Sequence, residues 1–534
     1  MASRTETLVL LLLALGALRV LDFRKCYAKT FSFDVHHRFS DHVQKWVAAG
    51  AGRGVVPRDW PKMGTVDYYA ALAHRDRTFR GRGLADDPDR TFTFSDGNET
   101  VKLASLGFLH YTVVSLGTPN VTFLVALDTG SDLFWVPCDC ISCAPTSSSR
   151  YQYNLDFSIY SPNASTTSSR VSCNHSLCEE KSKCVGSEGC PYNVAYVSAD
   201  TSSSGFLVED VMYLTSEDGK HDIVAAPITF GCGQVQTGSF LDAAAPNGLF
   251  GLGMEKVSVP SILSAAGLTP NSFSMCFGRD GIGRITFGDK GSPDQNETPF
   301  NLRQSHPTYN VTVAGVLVGA NLKNTSFHAI IDSGTSFTYL ADPAYTLLSE
   351  SFHSQALDPR RTSDERIPFE YCYSMSPNQN GSLIPRVSLT MNGGAEYLVY
   401  DPIIVIAIQG ELLYCLAVVK SHDISIIGQN FMTGNRIIFD REKMVLGWKK
   451  SDCYSSEDSS STLPLDPRKN STAEAPSVTV GPDKYGPEAT KETGSRGTQG
   501  SVVTSTNHSP PSSLSCLGQA KIFLLLCIVY LAIL

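Results

Sequence analysis

The chain has 534 residues, a length that at ~150 residues per domain suggests roughly three to four domains. With 42% hydrophobic and 18% charged residues it carries enough apolar material for a large core, which excludes wholesale disorder. A net charge of −9 argues against a nucleic-acid binder, which needs a basic patch.

Arg4 precedes a continuous apolar run, Leu8 to Leu18. That run is short for a membrane span and suits the core of a signal peptide. Cys26-Tyr27-Ala28 sets small residues three and one before a cut after Ala28, so 1–28 is expected to be a signal peptide. Residues 29–104 are polar, rich in Arg and Asp and free of Cys beyond that point, with a helical-looking patch from Tyr68 to Arg77.

Composition shifts near Gly107. From there to about Lys450, short Val/Ile/Phe/Tyr-rich runs alternate with Gly, Pro, Asn and Asp turns, the pattern of a mainly β chain. Expected strands include Phe108 to Leu116, Val121 to Leu127, Ile285 to Gly288, Val311 to Val318 and Arg436 to Phe439. The best helix candidates are Pro260 to Ala266 and Pro343 to Ala356. All of the 15 Cys except Cys26, Cys516 and Cys527 fall between Cys138 and Cys453. An even set at that density is typical of an oxidising compartment. Cys138-x-Cys140-x-x-Cys143 has metal-ligand spacing, but the compartment and the lack of matching His spacing disfavour a metal.

Within the β region the chain repeats itself. Ala126-Leu127-Asp128-Thr129-Gly130-Ser131 recurs as Ile330-Ile331-Asp332-Ser333-Gly334-Thr335. Each copy is followed by a second apolar-Gly signal, Gly248 to Gly253 in the first and Ile426 to Phe431 in the second. One Asp-Thr-Gly reads as a strand ending in an Asx turn. Two copies read as two homologous β lobes, each offering one carboxylate.

Two carboxylates at hydrogen-bond distance cannot both ionise comfortably, so such a pair shares a proton, as in the familiar aspartic-protease dyad. The ionised member takes a proton from water while the protonated member donates to a peptide carbonyl oxygen. The chemistry asks for no cofactor, metal or covalent intermediate. Gly130 and Gly334 let backbone approach the carboxylates closely. Thr129 and Ser333 are placed to bond across to the opposite loop, and Ser131 and Thr335 to bond the outer carboxylate oxygens.

The segments DTGSDLFWVPC, CPYNVAYVSADTSSSGFLVED, FGCGQVQTGSF, GLFGLG, FHAIIDSGTSFTYL and IIGQNFMTGNRIIFDREKMVLGW occur in this order. They resemble the pepsin-like aspartic proteases, specifically the atypical nepenthesin-like branch of plants, over about residues 108–453. The resemblance implies a bilobal β fold with an N-terminal lobe, 105–297, and a C-terminal lobe, 298–453, flanking a cleft. It implies that Asp128 and Asp332 are catalytic, that Tyr196 is the flap tyrosine closing over substrate, and that Trp135 hydrogen-bonds it. Cys372 is implied to pair with Cys415, and residues 29–104 to be a propeptide. The flap departs from the family pattern, reading Tyr196-Val197-Ser198-Ala199-Asp200-Thr201 without its usual glycines. A rival reading is a binding or inhibitor protein on the same fold, which would be expected to lose one Asp or one Gly of the pair.

Residues 454–507 form a Ser/Thr/Pro-rich stretch without apolar periodicity, expected to be a disordered stalk. Ile522 to Leu534 reads IFLLLCIVYLAIL, well short of the about 20 residues a bilayer span needs. Small residue, polar spacer and short apolar tail together match a glycosylphosphatidylinositol signal over 508–534, with Asn507 as the attachment residue. Asn-x-Ser/Thr sequons at Asn98, Asn120, Asn163, Asn174, Asn296, Asn310, Asn324, Asn380 and Asn470 are candidate glycan acceptors. The expected partners are protein or peptide substrates and a lipid anchor, on a monomer.

Overall fold

The computed structural model describes residues 30–43 and 64–73 in part, the short strands 92–93 and 100–101, and 110–453 with gaps, chiefly 145–157, 185–188, 197–200, 216–222, 303–306 and 375–383. The expected signal peptide, stalk and apolar tail, and Asn98, Asn380, Asn470 and Asn507, lie outside the described residues. The described residues fall within one compact unit, 28–464.

That unit is mainly β, as the alternating pattern requires. The expected strands form as His110–Leu116, Val121–Asp128, Ile282–Phe287, Asn310–Val318 and Asn435–Asp440. The two expected helices form as Val259–Ala265 and Ala344–His353. Val259–Ala265 opens with a proline in its first turn, where the missing N–H costs nothing.

A 14-stranded sheet runs through both lobes, and a second sheet of seven strands belongs to the C-terminal lobe. The internal repeat becomes the same local topology twice. Leu249–Gly251 pairs in parallel with the end of Val121–Asp128, setting Gly251 opposite Asp128, and antiparallel with Trp135. In the second lobe Ser425–Ile427 pairs in parallel with Ala329–Ile331 and antiparallel with Tyr339. In each lobe the apolar-Gly strand threads past the Asp loop, and its glycine leaves the room. A Cβ on Gly251 would strike the Asp132 backbone, and one on Gly428 the Phe337 backbone. Both Asp loops are thereby held at strand ends by buried backbone pairing.

The leading segment enters this architecture as a strand. Phe31–His37 pairs antiparallel with Ile282–Phe287 along most of its length and with His110–Leu116 at its end. Its Phe31 and Val35 are fully buried.

Six disulfides join Cys138–Cys232, Cys140–Cys143, Cys173–Cys184, Cys178–Cys190, Cys276–Cys453 and Cys372–Cys415 among the described residues. The Cys138/Cys140/Cys143 spacing is thus taken up by disulfides. Cys372 and Cys415 face each other in register on neighbouring strands. Cys276–Cys453 closes a loop of 177 residues and pins the last described residue to the central sheet. Replacing both with Ala should lower unfolding stability by about 2–4 kcal/mol, because a cross-link over so long a loop restricts the unfolded chain strongly. Denaturant titration of the variant checks this, and an unchanged midpoint would refute it.

Candidate active site

Asp128 is the last residue of its strand and is almost fully buried. Asp332 follows the strand Asn321–Ile331 in the same way. The Gly130 amide donates to Asp128 Oδ1 at 2.9 Å, and the Ser131 hydroxyl to Oδ2 at 2.5 Å. The Gly334 amide donates to Asp332 Oδ1 at 2.7 Å, and the Thr335 hydroxyl to Oδ2 at 2.6 Å. Each carboxylate is therefore fixed in plane by one backbone and one hydroxyl donor of its own loop.

The two loops are tied to each other by an exchange. Thr129 Oγ1 donates to the Ile331 carbonyl at 3.0 Å and accepts from the Ser333 amide at 2.9 Å. Ser333 Oγ donates to the Leu127 carbonyl at 3.4 Å and accepts from the Thr129 amide at 3.1 Å. The result sets both Oδ1 atoms against the same two glycines. A methyl on Gly130 would lie 3.1 Å from Oδ1 of Asp128 and 3.1 Å from Oδ1 of Asp332. On Gly334 it would strike Asp128 Oδ1 and sit 2.9 Å from Asp332 Oδ1.

The N-terminal lobe adds a tyrosine. Tyr196 ends a hairpin arm, its amide bonded to the Thr201 carbonyl, and its hydroxyl accepts from Trp135 Nε1 at 2.9 Å. Burial first, and the Asp128 charge second, push its phenol far above the usual range, so it stays protonated. Trp135 and Tyr196 both pack on Phe240 edge-on. The hairpin tip, 197–200, lies outside the described residues.

The sequence reading passed over two residues, Gln429 of the C-terminal lobe and His110 of the N-terminal lobe. Gln429, inside the IIGQNF segment, donates through Nε2 to the Ser333 carbonyl at 2.5 Å and accepts at Oε1 from His110 at 2.9 Å. Nothing in the sequence flagged His110, because its partner is 319 residues away.

Residues 66–70 are helical and lie against this site. Val66, Tyr68, Tyr69, Leu72 and Ala73 are buried in one apolar cluster with Trp135, Phe240, Phe337 and Phe369. Tyr69 approaches Phe337 at 6.5 Å between ring centres, and Arg366 holds Asp67 at 2.9 Å.

Of the sequons, Asn120, Asn163, Asn174, Asn296 and Asn324 are exposed. Asn310 is not open to a glycan: it is 7% exposed, and its side-chain oxygen accepts from Asn301 at 2.7 Å. No cluster with metal-ligand geometry occurs among the described residues.

Thr129→Val removes a hydroxyl that serves two buried backbone groups. It should destabilise the fold by about 2–4 kcal/mol, whereas Thr129→Ser keeps both bonds and should stay within about 1 kcal/mol. Chemical denaturation of the two variants tests this, and equal losses would contradict it.

Known proteins of this kind match the chain over the same regions. Residues 110–289 match the family described as "Xylanase inhibitor N-terminal", and residues 308–450 the one described as "Xylanase inhibitor C-terminal". "Aspartyl protease family protein 1" of Arabidopsis thaliana is 55% identical, over 89% of this chain and 91% of that protein. "Aspartic proteinase nepenthesin-2" of Nepenthes gracilis is 26% identical, over 64% of this chain and 77% of that protein. Among solved structures, the basic 7S globulin of soybean shares the fold, with a TM-score of 0.51 and 21% identity over 65% of this chain and 95% of that one. The paired Asp loops and the extent of these matches lead to one conclusion: the chain belongs to the pepsin-like aspartyl protease family.

Proposed function

We propose that the protein is an aspartic endopeptidase in which Asp128 and Asp332 share a proton and activate a water molecule. The observation that carries this reading is the meeting of the two Oδ1 atoms at Gly130 and Gly334. Water held between the inner oxygens loses a proton to the ionised carboxylate as it attacks the scissile carbonyl. The protonated carboxylate donates to the carbonyl oxygen, and the proton is then passed to the leaving amine. Ser131, Thr335 and the glycine amides keep the carboxylates in place through the cycle, and Tyr196 with Trp135 covers the substrate. Because the proton belongs to the pair, neither Asp alone is the base.

The name of the matching families favours a second reading, an inhibitor on a protease fold. Retention of both Asp-x-Gly triplets supports the enzyme. Residues 29–104 act as a propeptide on this reading, with 66–73 filling part of the cleft until they are cut away. The mature enzyme is secreted and held on the outer face of the plasma membrane by a glycosylphosphatidylinositol anchor. Support for that comes from the composition of 454–534.

Asp128→Asn and Asp332→Asn should each fold normally and lose at least ~10³-fold in kcat/KM, since the pair works as a unit. In the wild type, cleavage of a peptide library should be pepstatin-sensitive, strongest in acid, and fade as rising pH strips the shared proton. A protein that cleaves nothing between pH 3 and 7 with its N-terminal segment removed would favour the inhibitor. Phosphatidylinositol-specific phospholipase C should release the activity from intact membranes; retention, with recovery of a peptide spanning 522–534, would overturn the anchor.

A further inference from the structure

Arg366 stands on a turn of the C-terminal lobe in which the Ile367 amide donates to the Asp364 carbonyl. One edge of its guanidinium is held by its own loop. Nε donates to Asp364 Oδ1 at 2.9 Å and Nη2 to Asp364 Oδ2 at 2.8 Å. The Arg366 backbone amide donates to the same Oδ1 at 3.0 Å. A planar group gripped along one edge turns only with its loop, so most of its rotamer freedom is already gone. The bond to Asp364 above all, with Asp67 adding to it against the cost of burial, raises the Arg366 pKa still further, and the group is charged in acid and at neutrality alike.

The other edge faces the segment 66–73. Nη1 donates to Asp67 Oδ1 at 2.9 Å. The two side chains keep 32% and 28% of their surface in water, so the pair lies at a rim that solvent and peptide can reach. Behind that rim the wall is apolar. Ile367 and Phe369 of the same loop are buried, and Phe369 packs edge-on against Phe337 at 4.9 Å. Phe337 itself follows closely on the Asp332 loop. Tyr69 brings its ring to Phe337 and has its hydroxyl bonded by the Val405 backbone. Arg366 is therefore part of a wall that runs up to one of the two carboxylates.

In Asp67 the chain offers its own acid to this arginine. Once the segment is cut away, Nη1 loses that acceptor, while Asp364 keeps the guanidinium aimed at the same place. An acidic side chain of a bound peptide restores a charge-assisted hydrogen bond there, and the arginine does not have to reorient to make it. The bond to Arg366 also holds the Asp364 carboxyl below the usual range, so Asp364 stays ionised and offsets part of the guanidinium charge. Selection at this point thus comes from one directed N–H more than from a bare cation.

We propose that Arg366 is a specificity-determining residue of the cleft, selecting peptides that carry Asp or Glu at one fixed position relative to the scissile bond. This rests on the aspartic endopeptidase reading and on residues 29–104 being a propeptide, and it adds the class of substrate.

The test profiles enzyme processed from the full-length chain against a peptide library at pH 5, where substrate carboxylates are largely ionised. Wild type should favour Asp or Glu over Leu at one position by about three- to tenfold in kcat/KM, the difference lying in KM. Arg366→Gln should abolish that ratio, and Arg366→Lys should keep part of it. Asp364→Asn leaves the guanidinium with less opposing charge and should not reduce it, whereas mere damage to the loop would reduce it in every variant. If Arg366→Gln does not fold, the wild-type ratio should still shrink at least about twofold between 50 and 500 mM salt. A profile with no acidic preference, or one that neither Arg366→Gln nor salt alters, would overturn the proposal while leaving the enzyme intact. Failure to cleave any peptide would remove the protease reading and the proposal with it. N-terminal sequencing that finds 66–73 still attached to fully active enzyme would do the same through the propeptide reading.

Discussion

The reciprocal bonding of Thr129 and Ser333 is the constraint on which the rest of the site depends. Two carboxylates are brought together against their own repulsion, from loops on separate lobes. Thr129 and Ser333 each donate to a backbone carbonyl and accept from a backbone amide of the other loop. All of these groups are buried, where a lost partner is costly and a satisfied one rigid. The lobes can adjust elsewhere, but at this point their backbones are registered to one another. The approach of both carboxylates to the same two glycines inherits that registration.

Close to the carboxylates the two loops are near copies, and further out they diverge. On one side Asp128 is overlooked by Tyr196 and Trp135, an aromatic pair able to cover a substrate. On the other the Asp332 loop is braced from behind by Gln429 and His110. The duplicated part sets two like carboxylate loops, and the divergent part sets an aromatic pair on one side and a hydrogen-bonded strut on the other.

Much of this was legible in the sequence because the relevant signals are local. Strand alternation and turn residues placed Asn310–Val318 and Asn435–Asp440 within a residue or so, and the Asp-x-Gly repeat gave away the duplication. The second apolar-Gly signal marked the repeat in each lobe, and only the fold shows it as a strand paired beside each Asp loop. What escaped was carried by contacts between distant segments. His110 reads as an ordinary residue at a strand start, and only the fold sets it against His37 and Gln429. None of the six disulfides among the described residues had a pairing readable from spacing, and Cys372–Cys415 was implied by resemblance alone. Asn310 satisfies the sequon rule perfectly well and is excluded only because the sheet buries it.

The pairing of Phe31 with Phe287 has a bearing on how the chain is made. This strand, the earliest of those described to leave the ribosome, finds its main partner only after some 250 further residues have been added, which at about 5–20 residues per second is roughly 10–50 s. Through that interval only its end, His36 and His37 opposite Tyr111 and His110, has a strand partner already made. An unpaired apolar strand is a standing invitation to aggregation. That hazard lasts until the middle of the chain arrives, and the finished sheet removes it.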